Sequence, residues 1–173
     1  RVTKDKGVFE LLSAFSVVAK EQKKLWLVIA GPDEEHLVES LRSSVDPELV
    51  GRVIFTGFQF APENLICAAD FLCLFSRREG FGTCAIEAAA CAVPVLGTDI
   101  HGLNDAVINS ETGVLVPLNE PHLAVDGMRK LSSNASLRLR LGLQGRKRVK
   151  TIFDSVKVVK AYDDEFYRLI QRH

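Results

Sequence analysis

Phe71-Leu72-Cys73-Leu74-Phe75-Ser76-Arg77-Arg78-Glu79-Gly80-Phe81-Gly82-Thr83-Cys84-Ala85-Ile86-Glu87 passes from an apolar run, through a charged turn with two glycines, into small residues that continue to Cys91. The run Phe71 to Ser76 is continuous rather than alternating, which marks a strand covered on both faces. Gly80 and Gly82 let the backbone approach a ligand closely. A helix starting near Thr83 offers free N–H groups and the positive end of its dipole, a ready site for phosphate or another anion. Glu79 in the turn and Glu87 in the helix add carboxylates that accept hydrogen bonds from hydroxyls. Phosphate plus hydroxyls fits a nucleotide sugar. Spacing alone leaves a plainer reading open: a tight connection, with an acid favouring the dipole.

The same alternation extends outward. Upstream, Val8, Leu11, Leu12, Phe15 and Val18 mark one face of a helix from about Gly7 toward Lys23. A buried strand Leu25 to Ala30 follows, then a helical stretch near Glu34 to Ser44, a strand Val53 to Thr56 and a short helix Pro62 to Ala69. Downstream come a strand Val93 to Thr98, a helix near Leu103 to Ile108 and a strand Val114 to Val116. Five strands separated by helices predict an α/β, doubly wound parallel sheet of Rossmann type, with ligands at the strand C-terminal ends. The last third reads as helical: Leu123 to Ser133, Leu137 to Ile152, and an amphipathic helix over 154–173 carrying Val156, Val159, Tyr162, Phe166, Leu169 and Ile170.

At 173 residues, 47% hydrophobic, the chain suits a single domain spanning 1–173. Twenty-two Lys plus Arg balance 22 Asp plus Glu, so there is no global field for nucleic acid, and an anion site must be local. No apolar stretch approaches the ~20 residues of a membrane-spanning helix. Cys67, Cys73, Cys84 and Cys91 form no C-x-x-C pair and lie in apolar segments, a pattern that suits a reducing, cytoplasmic setting. The four histidines lie far apart, so no zinc site of usual local spacing is indicated.

Glu79 and Glu87 enclose seven residues, and Glu79-Gly80-Phe81-Gly82 through Glu87-Ala88-Ala89-Ala90-Cys91-Ala92-Val93-Pro94-Val95 resembles the E-x7-E signature of family 4 glycosyltransferases. The resemblance runs in order from Arg1 and Lys6-Gly7 through Ile29-Ala30-Gly31 and Val53-Ile54-Phe55-Thr56-Gly57 to Thr112-Gly113-Val114-Leu115-Val116-Pro117. It implies the C-terminal, donor-binding half of a GT-B enzyme, so that the chain is a fragment lacking the N-terminal acceptor domain and inactive alone.

By that resemblance Arg1 and Lys6 clamp the donor diphosphate and neutralise the leaving group. Such stabilisation is worth ~3–4 kcal/mol per key donor where mutation has probed it. Glu79 holds hydroxyls of the transferred sugar. Backbone groups of Gly80, Phe81, Gly82 and Thr83 meet sugar and phosphate, Glu87 binds the ribose, and the base lies near Gly57 and Phe58. The resemblance implies a UDP-, GDP- or ADP-sugar as substrate, no cofactor or metal, and transfer with retention to a glycan or lipid-linked acceptor, as in polysaccharide or lipopolysaccharide assembly.

The sequence departs from the pattern at Ala92, where the family usually has Gly, and at Gly102-Leu103-Asn104-Asp105, where it often has Gly-x-Pro-Glu. Two alternatives stand beside it. A nucleotide-sugar epimerase of the same fold needs catalytic carboxylates and a histidine that do not stand out. An NAD-dependent Rossmann oxidoreductase needs a third glycine, absent after Gly80 and Gly82.

Arg138, Arg140, Arg146, Lys147, Arg148 and Lys150 form a basic cluster, either a solvated helix face or a peripheral contact with anionic lipid at the inner face of the membrane. Asp163-Asp164-Glu165 is only superficially similar to a metal-binding Asp-x-Asp and reads as surface charge. Cys84, in the first helical turn, occupies a place where a thiolate is stabilised, but with no histidine near in sequence it reads as small-residue packing rather than a nucleophile. Arg77 and Arg78 are either rim residues or contacts for an acidic group.

Overall fold

The structure, a computed structural model, describes residues 1–171, so the last two positions of the helix expected over 154–173 lie outside the described residues. A 3-10 turn, Lys4–Lys6, leads through Gly7 into α1 (Val8–Glu21). There follow β1 (Leu27–Ala30), α2 (Val38–Ser44), β2 (Val53–Gly57), α3 (Pro62–Ala68), β3 (Leu72–Leu74) and α4 (Thr83–Ala90). Next are β4 (Val95–Thr98), α5 (Leu103–Ala106), β5 (Gly113–Val116), α6 (Pro121–Ser133), α7 (Ala135–Ile152) and α8 (Ser155–Ile170). α2 starts later than its sequence pattern predicts. The Asp33 carboxylate accepts from the Leu37 and Val38 amides at 2.7 and 3.0 Å, which favours a turn over residues 33–37.

Every strand pairing is parallel, but the five described strands form two sheets, β1–β2 and β3–β4–β5, where the alternation predicts one. The segment Val2 to Gly7 stitches them together. The Val2 amide donates to Pro32 beyond β1, and Arg77 beyond β3 donates its amide to the Asp5 carbonyl. Gly7, at φ 64°, lies so close on the Phe75 backbone that a Cβ there would strike its carbonyl.

Helices cover both faces of the β3–β4–β5 sheet, as continuous apolar strands require. In β1–β2 that expectation fails: alternate residues are open, with Val28 46% and Ile54 43% exposed. In β4, buried throughout, Leu96 joins the core containing Phe15 and Val18 of α1 and Met128 and Leu131 of α6. Its neighbour Val95 joins the opposite core with Ala85 and Ala88 of α4 and Leu103 of α5. Phe15 and Val18 are sealed at 1% and 0% exposure, each stabilising by about 2 kcal/mol.

The small residues of α4 serve close packing on α7. Gly145 lies against Ala89, and a Cβ on Gly142 would run into the Ala92 carbonyl. α8 is the opposite case: its described residues include none that is buried, and Phe166, Leu169 and Ile170 are exposed, as expected for an apolar face without cover in this chain. No described helix is long and apolar enough to cross a membrane.

The cysteine reading needs correction. α3 and α4 end side by side, bringing Cys67 and Cys91 to a Cα separation of 5.3 Å, and the two are joined in a disulfide. That is not the state a reducing setting favours. Cys73 and Cys84 are free.

Candidate functional site

Two contacts meet on one carboxylate oxygen. Lys6 Nζ and Ser76 Oγ each lie 2.6 Å from Glu79 Oε1 and donate to it. Ser76 is fully buried, and its carbonyl accepts from the Thr98 hydroxyl at 2.5 Å, so Glu79 is anchored through the end of β3 to the end of β4. Burial pushes the Glu79 carboxyl up, but the Lys6 ammonium, the Ser76 hydroxyl and the more distant Arg1 charge outweigh it and hold the group below its ordinary value of 4.5. Glu79 is therefore ionised at neutral pH.

Arg1 projects into the same cleft and donates to Glu34 at 3.1 Å, while Glu35 accepts the Lys4 amide at 3.1 Å. The cleft has a volume of about 580 Å³, and its walls include Arg1, Lys6, Glu34, Glu35, Glu79 and Gly80. Both cations expected to meet a diphosphate are thus present, each resting on a carboxylate.

Gly82, at φ 65°, adopts the left-handed conformation and caps α4, with no side-chain cap among the described residues. The Ala85 amide donates to the Gly82 carbonyl at 2.8 Å, which leaves the Thr83 and Cys84 amides to solvent or ligand. Gly80 meets neither requirement for glycine within the chain itself: it has no positive φ, and a Cβ there meets nothing within 4 Å. Phe81 is 42% exposed and turns its ring away onto Phe153. Thr83 and Glu87 are exposed on α4, beside the cleft rather than lining it.

Gly57 reaches the site through one neighbour. Its carbonyl accepts the Gly31 amide at 2.9 Å, and a Cβ on Gly31 would lie 2.7 Å from the Arg1 nitrogen. Phe58 beyond it is 60% exposed and stacks edge-on with Phe60, ring centres 5.0 Å apart.

Arg78 pairs with Asp5 at 2.6 Å and Arg77 with Glu10 at 2.5 Å, so both fasten the loop to the stitch and to α1. The Cys84 thiol is pushed up by burial and by the Glu87 and Glu79 charges, which overrides the helix end and disfavours a thiolate.

Half of the basic cluster on α7 is structural. Arg138 binds the Leu131 carbonyl and Asp70, Arg140 the Ser110 carbonyl, and Arg148 the Asp105 carbonyl. Glu165 pairs with Arg168 on the exposed α8 surface, in keeping with surface charge.

Sequence reasoning did not single out Ser76 or the Glu34-Glu35 pair. The Ser-x-x-Glu spacing from Ser76 to Glu79 and the acids just after Gly31-Pro32 were the available signals.

The family model for glycosyl transferases group 1 matches residues 1–148. The chain is 32% identical over 159 residues to the capsular polysaccharide biosynthesis glycosyltransferase CapM of Staphylococcus aureus, covering 90% of this chain and 41% of CapM. It is similar to the solved C-terminal domain of a group 1 glycosyl transferase (LpcC) from Francisella tularensis, with TM-score 0.79 and 26% identity over 90% of this chain and 83% of that domain. HepE of Anabaena, solved with UDP-glucose, shares the fold at TM-score 0.86 and 20% identity, over 97% of this chain and 47% of HepE.

The chain spans less than half the length of the curated relatives it matches. These neighbours are GT-B glycosyltransferases and favour neither the epimerase nor the oxidoreductase alternative. With that match running from Arg1 through the whole Glu79 to Glu87 segment, this chain belongs to the glycosyl transferases group 1 family.

Proposed function

We propose that this chain is the nucleotide-sugar-binding half of a retaining, metal-independent hexosyltransferase whose acceptor domain lies elsewhere in the protein. The observation that carries the reading is the Lys6–Glu79 contact at the foot of the Gly-turn that opens α4, which puts a cation, an ionised carboxylate and a loop leading to free helix amides together. The cation and the helix end suit the diphosphate, and the carboxylate suits sugar hydroxyls.

As the glycosidic bond breaks, negative charge grows on the departing nucleoside diphosphate. Arg1, Lys6 and the α4 terminus meet that charge, a role these groups fill without a metal. Retention follows if the departing phosphate helps to deprotonate the acceptor on the same face. Glu87 takes the ribose, and Gly57 and Phe58 border the base. The acceptor in this reading is a glycan or lipid-linked sugar, in line with the part CapM plays in capsular polysaccharide biosynthesis. Peripheral contact with an anionic membrane belongs to the same reading through Arg146, Lys147 and Lys150, which stay exposed on α7.

A ligand-observed NMR titration with UDP, GDP, ADP and their glucose, mannose and N-acetylglucosamine conjugates tests the donor. One nucleotide should bind, and Lys6→Ala and Glu87→Ala should each weaken it roughly tenfold, the cost of one charge-assisted contact. Silence to all three nucleotides at millimolar concentration sinks the reading.

A further inference from the structure

Phe81 lies in the middle of the donor loop, yet it is held from outside that loop. Its ring meets Phe153 edge-on, centres 5.4 Å apart at 74°. Phe153 is the first residue beyond α7 and is itself covered by the Arg148 guanidinium, 5.3 Å above its ring. Arg148 then donates from Nη2 to the Asp105 carbonyl of α5 at 3.0 Å.

α5 in turn touches the loop from its other side. Gly102, which precedes it, lies against the Glu79 and Gly80 carbonyls so closely that a Cβ would strike both. A Cβ on Gly82 would lie 3.1 Å from the Leu103 side chain. The contacts close a ring: loop, Phe153, Arg148, α5, loop.

Arg148 Nε is buried with no hydrogen-bond partner among the described residues. A buried donor left unpaired carries a desolvation cost with no return in the folded chain. Lysine would avoid that cost, but it lacks the planar group that can cover an aromatic ring while reaching a carbonyl. A positioning role accounts for the arginine.

We propose that Arg148 and Phe153 are positioning residues for donor binding: they touch no ligand, and by bracing Phe81 and α5 they fix the backbone from Glu79 to Gly82 in its binding form. The proposal rests on the donor reading above. It reaches past the matched family region, since Phe153 lies beyond residue 148.

The test uses the 173-residue chain with UDP, GDP and ADP as probes and two readouts, nucleotide affinity and amide hydrogen exchange. Arg148→Met and Phe153→Leu should each weaken the bound nucleotide roughly tenfold, as expected when a positioning contact is lost. They should also speed exchange at residues 79–83 while leaving β4 as protected as in the wild type. Phe153→Tyr keeps the ring and should restore both.

Unchanged affinity in the Met and Leu variants overturns the proposal. So does a loss that appears only together with lost β4 protection, or one that Tyr fails to rescue. A wild-type chain that binds none of the three nucleotides overturns the donor reading before any substitution is made. The exchange arm then decides the brace separately, and unaltered exchange at residues 79–83 sinks it.

Discussion

Lys6 and Glu79 stand 73 residues apart and meet at 2.6 Å with little solvent around them, so each is the other's main compensation for leaving water. Lys6→Met strands the carboxylate and should cost about 2 kcal/mol in urea unfolding at pH 7. Because the folded Glu79 carboxyl lies below its ordinary 4.5, its contribution is complete above that value and fades as pH falls through the lower folded one. The stability gap between wild type and Glu79→Gln should therefore be flat from pH 5 to 7 and close below 4.5; a gap that widens in acid would contradict the ion pair. A second residue-scale prediction concerns Ala92, where the family usually has Gly. Ala92 sits at φ 59°, a left-handed conformation that costs a Cβ-bearing residue about 1 kcal/mol, so Ala92→Gly should raise stability by roughly that amount. Glu79 and Glu87 stand out through a resemblance to a known signature rather than through spacing alone, and the fold brings Glu79 into the cleft while Glu87 lies beside it. Ser76 and Glu34 left only the Ser-x-x-Glu spacing and the acids after Gly31-Pro32 as signals, because their parts depend on which strand ends the fold brings together.

Helices α4 and α7 approach closely because α7 presents Gly142 and Gly145 to Ala92 and Ala89. Gly142→Ala places a methyl inside the Ala92 carbonyl, and backbone cannot step aside as a flexible side chain can. The helices should separate, with a loss of about 3 kcal/mol and a lowered melting temperature; a melt equal to wild type would show that the contact yields. The disulfide between Cys67 and Cys91 closes a loop with a sequence separation of 24 and should contribute about 3.5 kcal/mol by the chain-entropy account. A melt in reducing agent should fall accordingly, and an identical melt would mean that the two thiols are free in solution. Element types and order were legible because strands appear as short continuous apolar runs and helices carry a period of 3.6 on the face that meets the core. Boundaries were less so where a side chain intervened, as Asp33 does before α2.

For the whole molecule, the alternating pattern predicts layers and parallel pairing but not the division into two sheets, since hydropathy reports that a strand is buried and not which neighbour it bonds. α8 extends that limit: its periodicity is strong, yet none of its described residues is buried here. Ending the chain after Asp154 should leave the melting temperature of the rest within a degree or two, because little apolar contact is lost. A large drop would mean that α8 packs on the core in solution. The stitch from Val2 to Gly7 has the reverse character, for it joins both sheets and carries Lys6, with Arg1 at its start. On the proposed donor reading, changes there disturb folding and ligand capture together, so natural selection cannot trade one against the other along this segment. Drift in the stitch should accordingly be slow, and tolerated replacements should come paired with compensating changes at Glu34, Glu79 or the Phe75 turn.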